Sequence, residues 1–198
     1  MGRPREFDEG RAVEAASRVF WSKGYEATST QDLCDATGLG RSSIYNTFTS
    51  KHHLFLRALT HYADTMTDRQ ARLLGEGGGS ALERIRALLA LIVRSEMETR
   101  DGGVSVGCFV VNTLTALAAR DAGAAEVLDR DLRRRLALLR AVVEDGKRDG
   151  SITSSGDAEG LAWYLVAVVS GMRVAAQAGA GRAELDRIAA AGVDSLSR

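Results

Sequence analysis

The chain has 198 residues, 45% of them hydrophobic and 26% charged, with a single proline. This composition favours helices in a globular protein and excludes a mainly disordered chain. The 26 basic and 26 acidic residues balance, so total charge alone does not indicate a nucleic-acid-binding protein.

Neither a secretion signal nor a membrane partner is expected. The first seven residues lack the apolar core of a signal peptide. The longest apolar run, 161–172, is interrupted by Ser170 and Gly171 and is shorter than the roughly 20 residues that cross a bilayer. Cys34 and Cys108 do not suggest a disulfide framework, so we expect a cytoplasmic protein.

Capping residues and glycines predict three short helices followed by a long one in the N-terminal part. The predicted spans are about 8–24, 28–38, 40–47 and 50–74. The expected N-caps are Asp8, Thr28 or Ser29, and Ser50.

Glycine-containing breaks separate the helices predicted for the rest of the chain. Residues 75–79 predict a surface loop, because a phosphate-binding loop would need a preceding strand and a Gly-Lys-Ser/Thr ending. Ser80 and Glu83 have the spacing of a capping box that begins the next helix. Four more helices are predicted at about 107–120, 124–147, 157–178 and 182–196. No segment alternates as a strand does, so we predict an all-α protein of about nine helices without a sheet or internal repeat.

Residues 28–48 have the pattern of a helix-turn-helix. The side chains expected to face the core are Leu33, Ala36, Leu39, Ile44 and Phe48. The side chains left facing outward are Arg41, Ser42, Ser43, Tyr45 and Asn46. Short polar groups and one arginine on a small exposed helix suit the major groove of DNA. Since no acidic residue lies between Asp35 and Asp64, this region can carry a local basic surface.

Two segments, FWSKGYEATST at 20–30 and GLGRSSIYNTFTSKHHLF at 38–55, resemble the DNA-binding region of the TetR family of bacterial regulators. The resemblance covers about residues 8–60 without a gap. It implies a dimeric all-helical protein with a helix-turn-helix domain at 1–60 and a ligand-binding and dimerisation domain at 61–198. The family often has Ser or Thr at the position of Gly40 and Gly-Thr at the position of Ser42 and Ser43. We therefore expect a weaker cap on the recognition helix and do not infer the operator sequence.

The motif and the side-chain chemistry together predict eight DNA-contacting residues: Thr28, Ser29, Arg41, Ser42, Ser43, Tyr45, Asn46 and Lys51. Hydroxyl groups and free N–H groups at a helix start suit phosphate. The hydroxyl of Tyr45 can donate to phosphate, and Lys51 adds its charge to the dipole of the fourth helix.

Other basic residues near this motif leave alternatives open. Arg3 and Arg5 are either an arm that enters the minor groove or part of an untethered tail. The adjacent His52 and His53 point in different directions around a helix, so no metal site is expected.

The C-terminal part is expected to hold a small-molecule inducer whose identity the sequence does not reveal. Candidate pocket residues are Met66, Met97, Phe109 and Trp163, although such side chains also fill helical cores. Two stripes on the last helices suggest a dimer interface of close-packed helices, unless they are buried within one subunit. The first stripe is Ala167, Gly171, Ala175 and Ala178, and the second is Leu185, Ile188, Ala189, Gly192 and Leu196.

Cys108 is a candidate sensor of oxidants or electrophiles. Its segment, GCFVVNT at 107–113, resembles one in a TetR branch that includes electrophile-sensing repressors. A thiol near a helix N-terminus has its thiolate stabilised by the helix dipole. The alternative is a packed, inert thiol.

The function predicted from these observations is that of a ligand-responsive repressor that binds a palindromic double-stranded operator as a homodimer. Release by a small-molecule inducer and release by modification of Cys108 are the two alternatives. An enzyme is disfavoured because the chain shows no metal-ligand spacing and no Ser-His-Asp set, and we expect no cofactor or metal. A helical interaction module without DNA binding is disfavoured by the outward Arg41, Tyr45, Asn46 and Lys51.

Overall fold

The computed structural model describes residues 8–76, 78–101 and 104–197. Within these ranges the chain forms nine helices: α1 (Glu9–Ala27), α2 (Thr30–Thr37), α3 (Arg41–Phe48), α4 (Lys51–Glu76), α5 (Ala81–Glu98), α6 (Phe109–Ala116), α7 (Ala122–Asp149), α8 (Ala158–Gln177) and α9 (Arg182–Asp194). The predicted all-α fold is confirmed. A two-residue antiparallel pair, β1 (Arg100–Asp101) with β2 (Val104–Ser105), was not predicted.

Side-chain caps begin four of these helices where the sequence predicts them. Asp8 accepts from the backbone N–H of Arg11 at 3.2 Å, and Ser50 accepts from that of His53 at 3.0 Å. Ser29 and Ser80 each form a capping box with the acidic residue three positions later. These local bonds satisfy N–H groups that have no partner within the helix.

The head, as we call α1–α3, is built around aromatic side chains that α4 also contacts. Phe20 and Phe48 are fully buried, and the ring of Phe20 packs edge-on against Phe55 with centroids 5.2 Å apart. Gly38 ends α2 in the left-handed conformation (φ 70°), which glycine adopts without steric cost. Ala36 was expected in this core but is exposed.

The body comprises α4–α9, and α4 is its connection to the head. This helix runs without a break from the head core to Leu74, which is buried between α5 and α7. The hydroxyl of Thr67 donates to Asp131 of α7 at 2.8 Å, and both residues are buried. A domain boundary at residue 60 would therefore fall inside a continuous helix.

The last two helices differ in how they use their apolar faces. Leu185 of α9 and Leu196 beyond its end are fully buried within the subunit, so these two residues of the second predicted stripe do not face a partner. On α8, by contrast, Trp163 and Val174 are 48% and 50% exposed.

By length and hydropathy α8 also resembles a membrane span, but one apolar helix is weak evidence, since core helices of soluble proteins have the same properties. Buried residues such as Leu165 place this helix in the core of the body.

Candidate nucleic-acid interface

α3 presents a polar face to solvent and an apolar face to the head core. Ile44 and Phe48 are buried, four residues apart on one side of the helix. The opposite side exposes the five residues expected there: Arg41, Ser42, Ser43, Tyr45 and Asn46. Gly40 stands at the N-cap and provides no side-chain hydrogen bond, so the start of α3 leaves N–H groups open to solvent or a ligand.

The hydroxyl of Tyr45 lies at the N-terminus of α2. It shares a hydrogen bond of 3.2 Å with the hydroxyl of Thr30, the first residue of that helix. This bond, together with the nearby Arg41 guanidinium, lowers the pKa of Tyr45. The Arg41 guanidinium lies 5.9 Å from the centroid of the Tyr45 ring. Two helices thus meet at a cluster of hydrogen-bond donors on the exposed side of the head.

Lys51 is the first residue of α4. Its ammonium group lies 4.5 Å from the centroid of the Tyr25 ring, a contact that holds the charge at the surface by cation–π attraction. The preceding turn contains Thr49 with φ of 64°, a conformation that β-branched residues rarely adopt. This turn joins the end of α3 to the start of α4.

Thr28 is a correction to the predicted phosphate contacts. Its side chain is 1% exposed, and its hydroxyl donates to the carbonyl of Gly24 at 2.6 Å. The hydroxyl therefore supports the kink at Gly24, where the backbone of α1 departs from helical geometry (φ 77°), and cannot reach a phosphate. The end of α1 beyond Gly24 had not been predicted as helix.

Ser29 is exposed, but its hydroxyl is engaged by Asp32. The Ser29 Oγ donates to the Asp32 carboxylate at 2.7 Å while accepting from its backbone N–H. Lys23 binds the same carboxylate at 2.5 Å. The hydrogen bonds from Lys23 and then from Ser29 lower the pKa of Asp32. Since Lys23 balances the charge of Asp32, an acid at the start of α2 remains compatible with an anionic partner nearby.

The remaining predicted basic residues fall in different places. Arg3 and Arg5 lie outside the described residues. His52 binds the carboxylate of Asp121 at 2.7 Å, and the Nδ1 of His53 lies 2.9 Å from the carbonyl oxygen of Phe48. Each histidine thus has a structural partner, and no cluster suited to a metal ion is found in the described part of the chain.

A cleft of about 740 Å³ opens between the head and the body. One side is formed by residues 20–27 of α1, and the other by Val106, α6 and the turn after it, with Gln177 of α8. Of the four predicted pocket residues, Phe109 lines this head–body cleft. Its size is in the range of small-molecule sites.

The other three predicted pocket residues are not brought together with Phe109. Met66 lines two much smaller cavities of about 20 and 10 Å³ inside the body. Met97 is half-buried against the core between α5, α8 and α9. Trp163 is a correction, because its side chain is 48% exposed and lines neither the head–body cleft nor the small cavities at Met66.

Cys108 is the N-cap residue of α6 and is 5% exposed. Its sulfur accepts a hydrogen bond from the hydroxyl of Tyr62 at 3.9 Å. Burial raises the pKa of Tyr62 strongly. The thiol shares the 20 Å³ cavity with Arg173, whose guanidinium forms a buried ion pair with Glu96 at 3.1 Å. Sequence reasoning missed this ion pair, although an arginine within the apolar segment of α8 was a signal for it.

Comparison with known proteins agrees with this geometry. The family model described as "Bacterial regulatory proteins, tetR family" matches residues 12–58, and "Tetracyclin repressor-like, C-terminal domain" matches 81–191. The HTH-type transcriptional repressor ComR of Escherichia coli (strain K12) is 32% identical over 191 residues, covering 95% of this chain and 88% of ComR. The uncharacterized HTH-type transcriptional regulator YezE of Bacillus subtilis (strain 168) is 32% identical over 170 residues, covering 83% and 84%.

A solved structure is similar over the whole chain. It is a cysteine-substituted variant of the TetR-family regulator CifR in complex with 26-base-pair operator DNA, with a TM-score of 0.83 and 28% identity. The match covers 98% of this chain and 100% of the CifR chain. α3 exposes a polar face and buries an apolar one, and the two family models match the N-terminal and C-terminal parts of the chain. This chain belongs to the TetR family of bacterial DNA-binding transcriptional regulators.

Proposed function

We propose that the protein is a ligand-responsive repressor that binds a palindromic operator as a homodimer. The observation that carries the proposal is the exposed face of α3, where Arg41 and Asn46 stand beside the Tyr45 hydroxyl and the start of α4. Hydrogen-bonding side chains of different lengths on one small helix can reach both the base edges in the major groove and the phosphates beside it. Repression, rather than activation, is favoured by the similarity to the repressor ComR.

In this proposal the DNA contacts divide into two kinds. Arg41, Ser42, Ser43 and Asn46 face the bases, while Tyr45, Lys51 and the N-terminus of α2 at Ser29 face the backbone. Thr28 is left out because its hydroxyl is buried. A protein with this role acts on the chromosome in the bacterial cytoplasm.

The homodimer is supported by the exposed face of α8. Trp163, Ala167, Gly171 and Val174 lie on one side of this helix and are all exposed, although α8 is the most apolar of the long helices. An apolar stripe with small residues permits close packing against the same helix of a second copy. Two copies supply two recognition helices, which a palindromic operator requires.

Induction is proposed to act through α4, because this helix belongs to both the head core and the body core. In the dimer, the distance between the two heads decides whether both half-sites can be bound. A ligand that binds one of two such arrangements more tightly shifts the population towards that arrangement, to the extent of its difference in affinity. Binding that disfavours the spacing of the two half-sites releases the operator.

A second mode of release is modification of Cys108. It is favoured by the position of the thiol at the start of α6, beside Arg173 in a small cavity. Because that cavity has only about 20 Å³, an added group would force apart the helices that enclose it. If an electrophile releases operator DNA from the wild type but not from Cys108→Ser, this mode is supported. If it releases operator DNA equally from both proteins, release by a reversible inducer is the remaining mode.

The experiment that tests the proposed function is a gel shift with the DNA upstream of the protein's own gene. We expect specific binding by the wild type, and Arg41→Ala to lose discrimination between operator and mutated operator. A discrimination loss of about 1–3 kcal/mol is typical for one arginine–base contact. Unchanged operator binding by a folded double variant, Arg41→Ala with Lys51→Ala, would refute the assignment of the interface.

A further inference from the structure

We propose that the head–body cleft is the site of the inducer, and that it takes an uncharged aromatic molecule bearing one hydroxyl or carbonyl group. This inference rests on the proposed function and names the ligand class and the place where it acts. It concerns a cleft between α1 and α6, distinct from the small cavities inside the body that surround Met66 and Arg173.

The aromatic part of the ligand follows from the inner surface of the cleft. Phe20 and Phe109 are almost fully buried there, and Trp21 and Tyr25 are half-buried. Trp21 and Tyr25 thus border, with Phe20 and Phe109 packed behind the surface, a space large enough for a molecule of two or more rings. Ring faces and edges of this kind bind flat apolar groups.

The polar part of the ligand follows from two amides at the inner end. The side chains of Asn112 and Gln177 each donate to the carbonyl oxygen of Val106 at 3.1 Å. A primary amide has two N–H groups and an oxygen, so each retains hydrogen-bonding capacity after this bond. Both amides are neutral, and an ionised ligand group buried beside them without a counter-charge would be costly.

The charged residues of the cleft lie at its solvent-exposed rim and carry both signs. Lys23 is bound to Asp32, and Glu26 and Arg120 are exposed. The rim therefore does not select for a net charge on the ligand. An uncharged molecule satisfies both the neutral inner surface and the mixed rim.

Occupancy of this cleft is coupled to the DNA-binding surface by short covalent and hydrogen-bonded connections. The α1 segment that lines it contains the kink at Gly24, whose carbonyl is bound by Thr28 immediately before α2. On the other side, Gly107 has φ of +75°, and a Cβ there would lie 2.2 Å from the Gln177 side chain. The Gln177 amide ties this loop to α8 through the Val106 carbonyl, so a ligand wedged between the two sides displaces the head relative to the body.

The test uses 2-naphthol as the probe and 2-naphthoate, which has the same rings and a carboxylate, as the charged comparison. Binding to the full-length protein is measured by titration calorimetry without DNA. We expect 2-naphthol to bind at least tenfold more tightly than 2-naphthoate. Ala116→Trp fills the exposed rim of the cleft and Gln177→Leu removes an amide, and each should weaken 2-naphthol binding at least tenfold.

The matched control is Ala119→Trp, an exposed alanine outside the cleft lining, which should bind 2-naphthol as the wild type does. In a gel shift, 2-naphthol should weaken operator binding by the wild type and by Ala119→Trp but not by Ala116→Trp. Equal 2-naphthol binding by all variants, preference for 2-naphthoate, or no binding by the wild type would overturn the proposal. A failure of the proposed function would instead be seen as absent operator binding before any probe is added.

Discussion

The indole N–H of Trp21 donates a hydrogen bond of 2.9 Å to the carbonyl oxygen of Gly107, across 86 positions of sequence. This bond joins α1 of the head to the loop that precedes α6 of the body. Within the body, His52 near the start of α4 binds Asp121 at the start of α7, next to the point where α4 leaves the head. The head therefore meets the body at a defined contact beside the cleft, and not only through the shared helix α4.

Lys51→Ala should weaken binding to every DNA sequence by a similar factor, because a phosphate contact carries no base information. The slope of log affinity against log salt concentration should become shallower by about one unit, since one fewer counterion is released. Fluorescence anisotropy across a salt series measures both effects. Arg86→Ala, which removes one positive charge from an exposed position of α5, is the control and should keep the wild-type slope. An unchanged slope for Lys51→Ala would remove this residue from the interface.

The double variant Gly171→Arg with Val174→Arg should be monomeric and lose operator binding. Both positions are exposed on α8, and a Cβ at Gly171 meets no atom within 4 Å, so the subunit itself tolerates the change. Two buried positive charges would oppose association of the apolar stripes. Sedimentation measures the mass, and Ala137→Arg on the exposed side of α7 should remain a dimer. A wild-type chain that sediments as a stable monomer at micromolar concentration would contradict the homodimer.

Arg173→Met should destabilise the protein by about 3–5 kcal/mol, the usual cost of removing one partner of a buried ion pair. Glu96 is 1% exposed and would lose the guanidinium that lies 3.1 Å away. Urea denaturation measures the loss. Adding Glu96→Gln should recover part of it, because a neutral amide costs less to bury than a carboxylate. Strictly additive losses in the double variant would show that the two residues do not interact energetically.

Asp121→Asn should lower stability at neutral pH and have a smaller effect in acid. The pKa of Asp121 is lowered by the backbone N–H of Ala124 and by His52, against the opposing effect of burial. A carboxyl with a lowered folded-state pKa stabilises the fold above its unfolded pKa, near 4, and loses this contribution as pH falls through the lower folded value. Thermal unfolding of the wild type and the variant, measured from pH 7 to pH 3, gives the difference in their stability at each pH.

The control for this pH series is Asp186→Asn, at an exposed position of α9. The stability of Asp186→Asn should differ little from that of the wild type, and this difference should not become smaller as the pH falls. A difference for Asp121→Asn that stays constant or widens towards pH 3 would show that the carboxylate does not contribute in the manner described.

Local sequence determined the ends of most helices and the two faces of α3. Ser29, Ser80 and Gly38 act through hydrogen bonds or backbone angles within a few residues, so their roles depend little on the rest of the fold. The alternation of Ile44 and Phe48 with outward polar residues follows from helix geometry alone. The DNA-binding face and the family could thus be predicted before any long-range contact was known.

Tertiary structure alone decided which apolar stripe is buried within the subunit and where a cavity opens. Leu185 and Trp163 both lie on amphipathic helices, but Leu185 is buried and Trp163 is exposed, since the outcome depends on which neighbouring helix fills the adjacent space. The cleft joins residues 20–27 to Val106 and Gln177, positions far apart in sequence whose meeting no local pattern encodes.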